Sequence, residues 1–226
     1  MKNINYSAIV LSAVTASLQA QSVLSFDSLP SSQGWSYSGD IVESSAFSLA
    51  APVLTLNTLT PAGANFAIYS RGNPFNPASP VDIEFTGRVL NSDSAGAFAI
   101  SYWTGSEVFQ LALSGNQITA QGNVVSLDAS VFHDFRFAAR PGQGSELFID
   151  NVSASASGVM LSSVSSQMLF GDGNPGPNAD TTVEVNRLSF TAVPEPTTYG
   201  CITGVALAGF ASIRCCARNR NRKFPI

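Results

Sequence analysis

The chain has 226 residues, 45% of them apolar and only 12% charged, which is enough for one substantial core with an appendage at each end. Its net charge of −4 hides an imbalance: residues 27–184 carry fourteen acidic groups against the arginines at 71, 88 and 136 and 140, while Arg187 just beyond brings the body to about −9. That balance argues against binding nucleic-acid phosphates, and three cysteines, all at 201 or later, leave the body no disulfide framework.

Residues 1–22 read as a secretory signal. Lys2 supplies the positive start, and residues 8–14 (AIVLSAV) begin an apolar run too short to span a membrane. Cleavage after Ala20 would put Leu18 at the −3 position, and cleavage after Ser22 would put Ala20 there. No twin-arginine pair and no lipoprotein-type cysteine is present in this segment.

The body, residues 23–192, has the pattern of an all-β domain. Alternating runs are separated by clusters of Gly, Asn, Asp, Ser and Pro. In residues 81–90, Val81, Ile83, Phe85 and Val89 share one face, while Asp82, Glu84, Thr86 and Arg88 share the other. Further strands are expected over residues 97–103, 107–114, 117–121, 131–139, 146–152 and 182–191. A hairpin loop is expected at residues 140–145, and turns at 114–116 and 169–174. This spacing predicts two packed sheets. Residues 132–190 resemble the closing half of a concanavalin A-like, laminin-G-like jelly roll: a strand FHDFRF, a return strand LFIDN, a Gly-rich turn and a final strand. An immunoglobulin-like or other jelly-roll sandwich is the alternative.

Residues 193–226 combine three features. Pro194, Glu195 and Pro196 form a stiff extended triplet. Residues 198–213 carry no charge and as a helix would be about 24 Å long, short against a bilayer core of about 30 Å. Gly200 and Gly204 form a small-xxx-small pair within it. Arg214, Arg218, Arg220, Arg222 and Lys223 then mark the cytoplasmic end. This order resembles the PEP-CTERM sorting signal of exported bacterial proteins, a tail also labelled an ice-binding protein C-terminal domain. The body has no flat Thr-x-Thr face for ice. The resemblance implies processing by signal peptidase and an exosortase, a transient stay in the inner membrane of a Gram-negative-type bacterium, and delivery to the cell surface or extracellular polysaccharide.

Chemistry is sparse in the body. Asp82 and Glu84 lie i, i+2 on one strand, the nearest approach to the paired carboxylates of a retaining glycosidase, and read as a solvated strand face. His133 is the only histidine and has no serine elbow to serve. Asp172, Asn174 and Asp180 offer oxygen ligands suited to calcium, but fit an Asx-type turn as well. Trp35, Tyr102 and Trp103 are candidates for stacking on a sugar face. The sequence therefore predicts no catalytic residue, no obligatory cofactor and no enzyme: a non-catalytic sandwich with a structural or glycan-binding role. The alternative is a secreted glycan-active hydrolase or lyase on the same sandwich.

Overall fold

A computed structural model describes residues 20–59, 65–93, 97–162, 165–174 and 179–193. The signal segment up to residue 19, the Pro194-Glu195-Pro196 triplet, the apolar run and the basic residues Arg214, Arg218, Arg220, Arg222 and Lys223 lie outside these residues. No helix among the described residues is long and apolar enough to cross a membrane.

The expected fold class is what the body has: among the described residues, two antiparallel sheets of eight strands each, with a 3-10 turn at Pro30–Gln33 and one α-helical turn at Glu43–Ala46. In chain order the strands are β1 (Gln21–Leu24), β2 (Ser36–Gly39), β3 (Phe47–Ala50), β4 (Val53–Asn57), β5 (Ala67–Gly72), β6 (Val81–Ser92), β7 (Phe98–Trp103) and β8 (Glu107–Ser114). They continue as β9 (Gln117–Ala120), β10 (Asn123–Ser126), β11 (His133–Arg140), β12 (Gly144–Ile149), β13 (Val152–Ser157), β14 (Met160–Leu161), β15 (Gln167–Asp172) and β16 (Thr181–Ala192).

The first sheet runs β13-β12-β11-β6-β16-β4-β3. Its two twelve-residue strands, β6 and β16, pair along their whole length. The edge of β16 away from β6 is shared: β4 pairs with Thr182–Val185 and β1 with Leu188–Thr191. The second sheet runs β10-β9-β8-β7-β15-β5-β2, with β14 added beside β8.

Strand alternation sets both faces. Val81, Ile83, Phe85 and Val89 of β6 are buried, whereas Asp82, Glu84, Thr86 and Arg88 between them are only half-buried. The layer between the sheets is aromatic. Phe47 of the first sheet packs 4.5 Å from Tyr69 of the second, Phe85 of the first lies 6.4 Å from Phe98 of the second, and Trp35 lies 5.1 Å from Phe170 and 6.1 Å from Phe190. Phe170 also meets Tyr69 and Phe98, so a single ring joins three neighbours.

Two boundaries differ from the sequence reading. β1 takes in Gln21 and Ser22, which a domain starting at residue 23 would leave out, and Ser22 is paired with Phe190 and buried. The expected turn at residues 169–174 begins as strand: Leu169 to Asp172 belong to β15, paired with β5 and β7. Gly171 makes this possible. Its φ is +132°, and a Cβ there would stand 2.3 Å from the carbonyl oxygen of Ala67.

Replacing Phe170 by Ala is expected to cost about 3–5 kcal/mol, because three aromatic contacts are lost and the void cannot collapse across a two-sheet core. Val124→Ala, at an exposed position, should stay within about 0.5 kcal/mol. Urea unfolding at equilibrium distinguishes them, and equal midpoint shifts would refute the central position given to Phe170.

Candidate functional site

The outward faces of the two sheets differ in chemistry. Around β7, β8 and β15 the outward residues are Ala99, Ser101, Trp103, Val108, Gln110, Ala112, Gln167 and Leu169, none of them ionisable. Around β6, β11 and β16 the outward residues are mostly charged, and four of the body's five arginines stand there: Arg88, Arg136, Arg140 and Arg187.

Register explains how this charged face is knitted. Arg136 of β11 stands opposite Glu84 of β6, Asp134 opposite Thr86, and on the other side Ser189 and Arg187 of β16 stand opposite Glu84 and Thr86. Arg187 Nη2 donates to Glu84 Oε2 at 2.6 Å, and Arg140 Nη2 donates to Asp82 Oδ1 at 2.7 Å. Arg88 Nε donates to Glu184 Oε2 at 2.8 Å. Asp134 is in no ion pair among the described residues; its Oδ1 accepts a 2.5 Å hydrogen bond from Thr86 Oγ1. Each of these pairs is partly exposed, so each contributes at most about 1 kcal/mol to stability.

A pocket of about 200 Å³ opens on this face. Glu84, Thr86, Asp134, Arg136, Asn151 and Arg187 line it, over the buried Phe85 and Phe135. Glu84 and Asp134 are diagonal neighbours on adjacent strands, a placement that puts them about 7–8 Å apart at the backbone. Two carboxylates therefore face one open pocket. Of the sequence candidates, Glu84 belongs to it, whereas Asp82 is held aside by Arg140 and Arg136. The same face continues one step earlier on the chain into Pro80, so no third carboxylate precedes Asp82 on it.

His133 does not lie idle in the core. Its Nδ1 contacts Asp150 Oδ2 at 2.8 Å and its Nε2 contacts the Asp128 carbonyl at 3.0 Å. Asp150 Oδ1 also accepts the Asp134 N–H. Asp150 and Asn151 both have positive φ, 50° and 66°, and form the tight turn between β12 and β13. His133 thereby ties the start of β11 to the turn that delivers Asn151 to the pocket.

The sugar-stacking candidates separate. Tyr102 is fully buried and points inward, with its hydroxyl accepting from Asn73 Nδ2 at 3.3 Å, so it has no face for a ligand. Trp35 is likewise core. Trp103, one residue on, points to the opposite face, so Tyr102 and Trp103 form no common platform. Two of the three calcium candidates, Asp172 and Asp180, turn inward as well, whereas Asn174 is exposed. Asp172 is buried, accepting from Thr58 Oγ1 at 2.6 Å and from the Asn174 N–H at 3.1 Å. Burial, reinforced by the charges of Asp180 and Asp40, pushes the Asp172 carboxyl up to about 6 against the opposing pull of its Thr58 and Asn174 hydrogen bonds. Asp180 is buried and accepts the Asn65 N–H at 3.0 Å. Among the described residues no group of three or more His, Cys, Asp or Glu is placed to hold a metal.

Asp134, Arg136, Arg187 and Asn151 were not singled out in the sequence. Asp134 and Arg136 share the polar parity of their strand, which is visible; that this parity meets Glu84 depends on the register of β11 on β6, which is not.

No protein-family model matches the chain. No curated protein matches it either. Solved structures do match. A structure from work on endo-acting O-glycanases of prominent human gut microbiota, which initiate mucin breakdown, aligns at a TM-score of 0.55 with 12% identity, over 76% of this chain and 99% of that one. A β-1,3-1,4-glucanase (lichenase) derived from a mouse hindgut metagenome gives 0.54 with 11% identity, over 77% and 100%. The Bacillus licheniformis β-glucanase gives 0.53 with 10% identity, over 77% and 99%. The body thus has a concanavalin A-like jelly-roll fold shared with glycan-active proteins. The expectation that the chain is not an enzyme rested on missing sequence motifs, and it is overturned by solved structures of the same fold that include β-glucanases and a structure from work on O-glycanases.

The His133 tie sets a pH dependence. Burial lowers the imidazole pKa, but the Asp150 hydrogen bond, the Asp128 carbonyl and the charges of both aspartates outweigh it, leaving the group above its ordinary 6.5. The stability it contributes is therefore complete below 6.5 and is lost as pH rises through the higher folded value. Asp150 is held below its ordinary 3.8 by His133 and the Asp134 N–H, so its share is present above 3.8 and disappears in stronger acid. His133→Gln should lower the melting temperature at about pH 6 and change it little at about pH 9. A uniform loss at both would contradict the charged tie.

Proposed function

We propose that this chain is an exported glycan-active enzyme that hydrolyses a glycosidic bond at the charged face of β6, β11 and β16. The observation that carries the proposal is the meeting of Glu84 and Asp134 in one open pocket on the middle strands of the sheet. The fold supports it, since β-glucanases and a lichenase are built on the same sandwich.

Hydrolysis of a glycoside needs one carboxylic acid to protonate the leaving oxygen and a second carboxylate to assist the incoming water or to attack the sugar carbon. Of the two carboxylates, Asp134 is in no ion pair among the described residues and so is the one not held ionised by an arginine; it takes the proton-donor role. Glu84, fixed by Arg187, suits the base. In the water-activating form of the reaction, the bond from sugar carbon to leaving oxygen breaks and Asp134 gives its proton to that oxygen. Water bonds to the carbon and yields a proton to Glu84. The products are a reducing end and a free hydroxyl, and the two carboxyl groups have exchanged one proton's position.

Release of reducing ends from a panel of polysaccharides tests this reading. Glu84→Gln keeps size and should reduce the rate by at least about a hundredfold. It should cost little stability, because the Arg187 pair is exposed. Cleavage unaffected by both Glu84→Gln and Asp134→Asn would reject the assignment.

Export and sorting are part of the same proposal and rest on the residues at the two ends. Residues 1–20 serve as the secretory signal, with signal peptidase as the first partner, and Pro194, Glu195 and Pro196 serve as the exosortase signal ahead of a transient membrane span at residues 198–213. The pairing of Gln21 and Ser22 with β16 favours cleavage after Ala20 over cleavage after Ser22, which would remove half of β1. The enzyme would act at the cell surface or in extracellular polysaccharide. Replacing Pro194-Glu195-Pro196 by three alanines should leave the protein in the inner membrane; unchanged delivery to the surface would contradict the signal.

A further inference from the structure

The pocket's guanidinium groups are arranged unequally, and that inequality points to a substrate class. Asp82 has two arginine partners, with Arg140 at 2.7 Å making a hydrogen bond and Arg136 at 3.5 Å making none. The Arg136 guanidinium makes no hydrogen bond within the described residues. Instead the group lies 3.9 Å over the ring of Phe148, the residue facing Arg136 across the β11–β12 pair. Stacking on a ring and attraction to Asp82 hold the planar group in place without using its N–H donors. Its side chain is 39% exposed and lines the pocket. Arg187, 59% exposed on the other side of Glu84, has one hydrogen bond and further donors to spare.

The rest of the lining has the same bias. The aromatic residues of the pocket, Phe85 and Phe135, are buried, and their rings stack on each other 4.4 Å apart, so neither offers an open face to a neutral sugar. Thr86 and Asn151 add polar groups. A pocket that offers a pre-stacked guanidinium fork and no aromatic platform is matched by a ligand bearing a planar anion.

We infer that the pocket takes an acidic sugar unit, with its carboxylate read by the Arg136 fork and flanked by Arg187. The inference rests on the reading of this face as the substrate site. Elsewhere the body is strongly acidic, so long-range attraction would not draw a polyanion in. Discrimination falls to contact with these two arginines. The polymer is then one rich in uronic acid; a sulfated polymer offers a similar charge on a tetrahedral rather than a planar group.

The full chain can be tested with oligosaccharides of three kinds: uronic acid oligomers, sulfated oligomers, and neutral glucan oligomers of equal length. Binding is measured by calorimetry and cleavage by reducing-end release. Uronic acid oligomers should bind at least about tenfold more tightly than neutral ones, and Arg136→Lys, which keeps the charge beside Asp82 but loses the fork, should remove about tenfold of that preference. Arg136→Met, which keeps contact with Phe148, should remove it entirely, and an unchanged melting temperature shows that folding is intact. Equal binding of neutral and uronic acid oligomers, preference for sulfated ones that survives in Arg136→Lys, or no effect of either variant would overturn the inference. Cleavage of neutral glucan that depends on Glu84 would uphold the hydrolase reading and overturn this one. Uronic acid binding that depends on Arg136 without cleavage of any polymer would do the reverse.

Discussion

The aromatic layer between the two sheets is the constraint on which everything else depends. Phe47, Tyr69, Phe85, Phe98, Phe135, Phe170, Phe190 and Trp35 fill the space between sheets in a chain of ring contacts. With no disulfide in the body, this burial must supply the stability. It also decides orientation. Once Phe85 and Phe135 are committed inward, the alternation of the strands leaves Glu84, Thr86, Asp134 and Arg136 no choice but the outer face. The pocket is the outward consequence of an inward packing requirement.

The same constraint explains why the two outer faces differ. The strands of the second sheet place uncharged side chains outward, and Trp103 stands among them with its indole Nε1 unpartnered among the described residues. The first sheet places its acids and arginines outward in register, so that each arginine meets an acid on a neighbouring strand. Such pairs add little to stability at a partly exposed surface. Their concentration on three adjacent strands is the feature on which the proposed glycan site rests.

Much of the fold was legible in the sequence where strands were long. Glu107–Ser114 was read with its observed bounds, and β6 and β16 were read to within two residues, because ten or more alternating positions leave no other face to bury. The first third was missed. Ser36–Gly39 and Phe47–Ala50 are four-residue strands rich in Ser, too short to show a period. Leu169–Asp172 looked like a turn because Gly, Asp and Asn follow one another there; the structure instead uses Gly171 to bring two backbones together and buries Asp172 under Thr58. At the site, Glu84 was visible as an acid on a polar strand face. Its partnership with Asp134 and Arg187 was not, since these residues lie 50 and 103 positions further along the chain and meet it only through register. The separation of Tyr102 from Trp103, by contrast, was already implied by the two-residue period of their strand.

On the proposed reading, the charged face of β6, β11 and β16 engages glycan. Mapping amide chemical shifts of the isotopically labelled protein as a uronic acid oligosaccharide is added tests it most directly. Saturable shifts are expected at Glu84, Thr86, Asp134, Arg136, Asn151 and Arg187, with Ser101, Trp103, Gln110 and Leu169 unmoved. Shifts confined to the second group, or no saturable shift on either face with uronic acid, sulfated and neutral oligosaccharides alike, would contradict it.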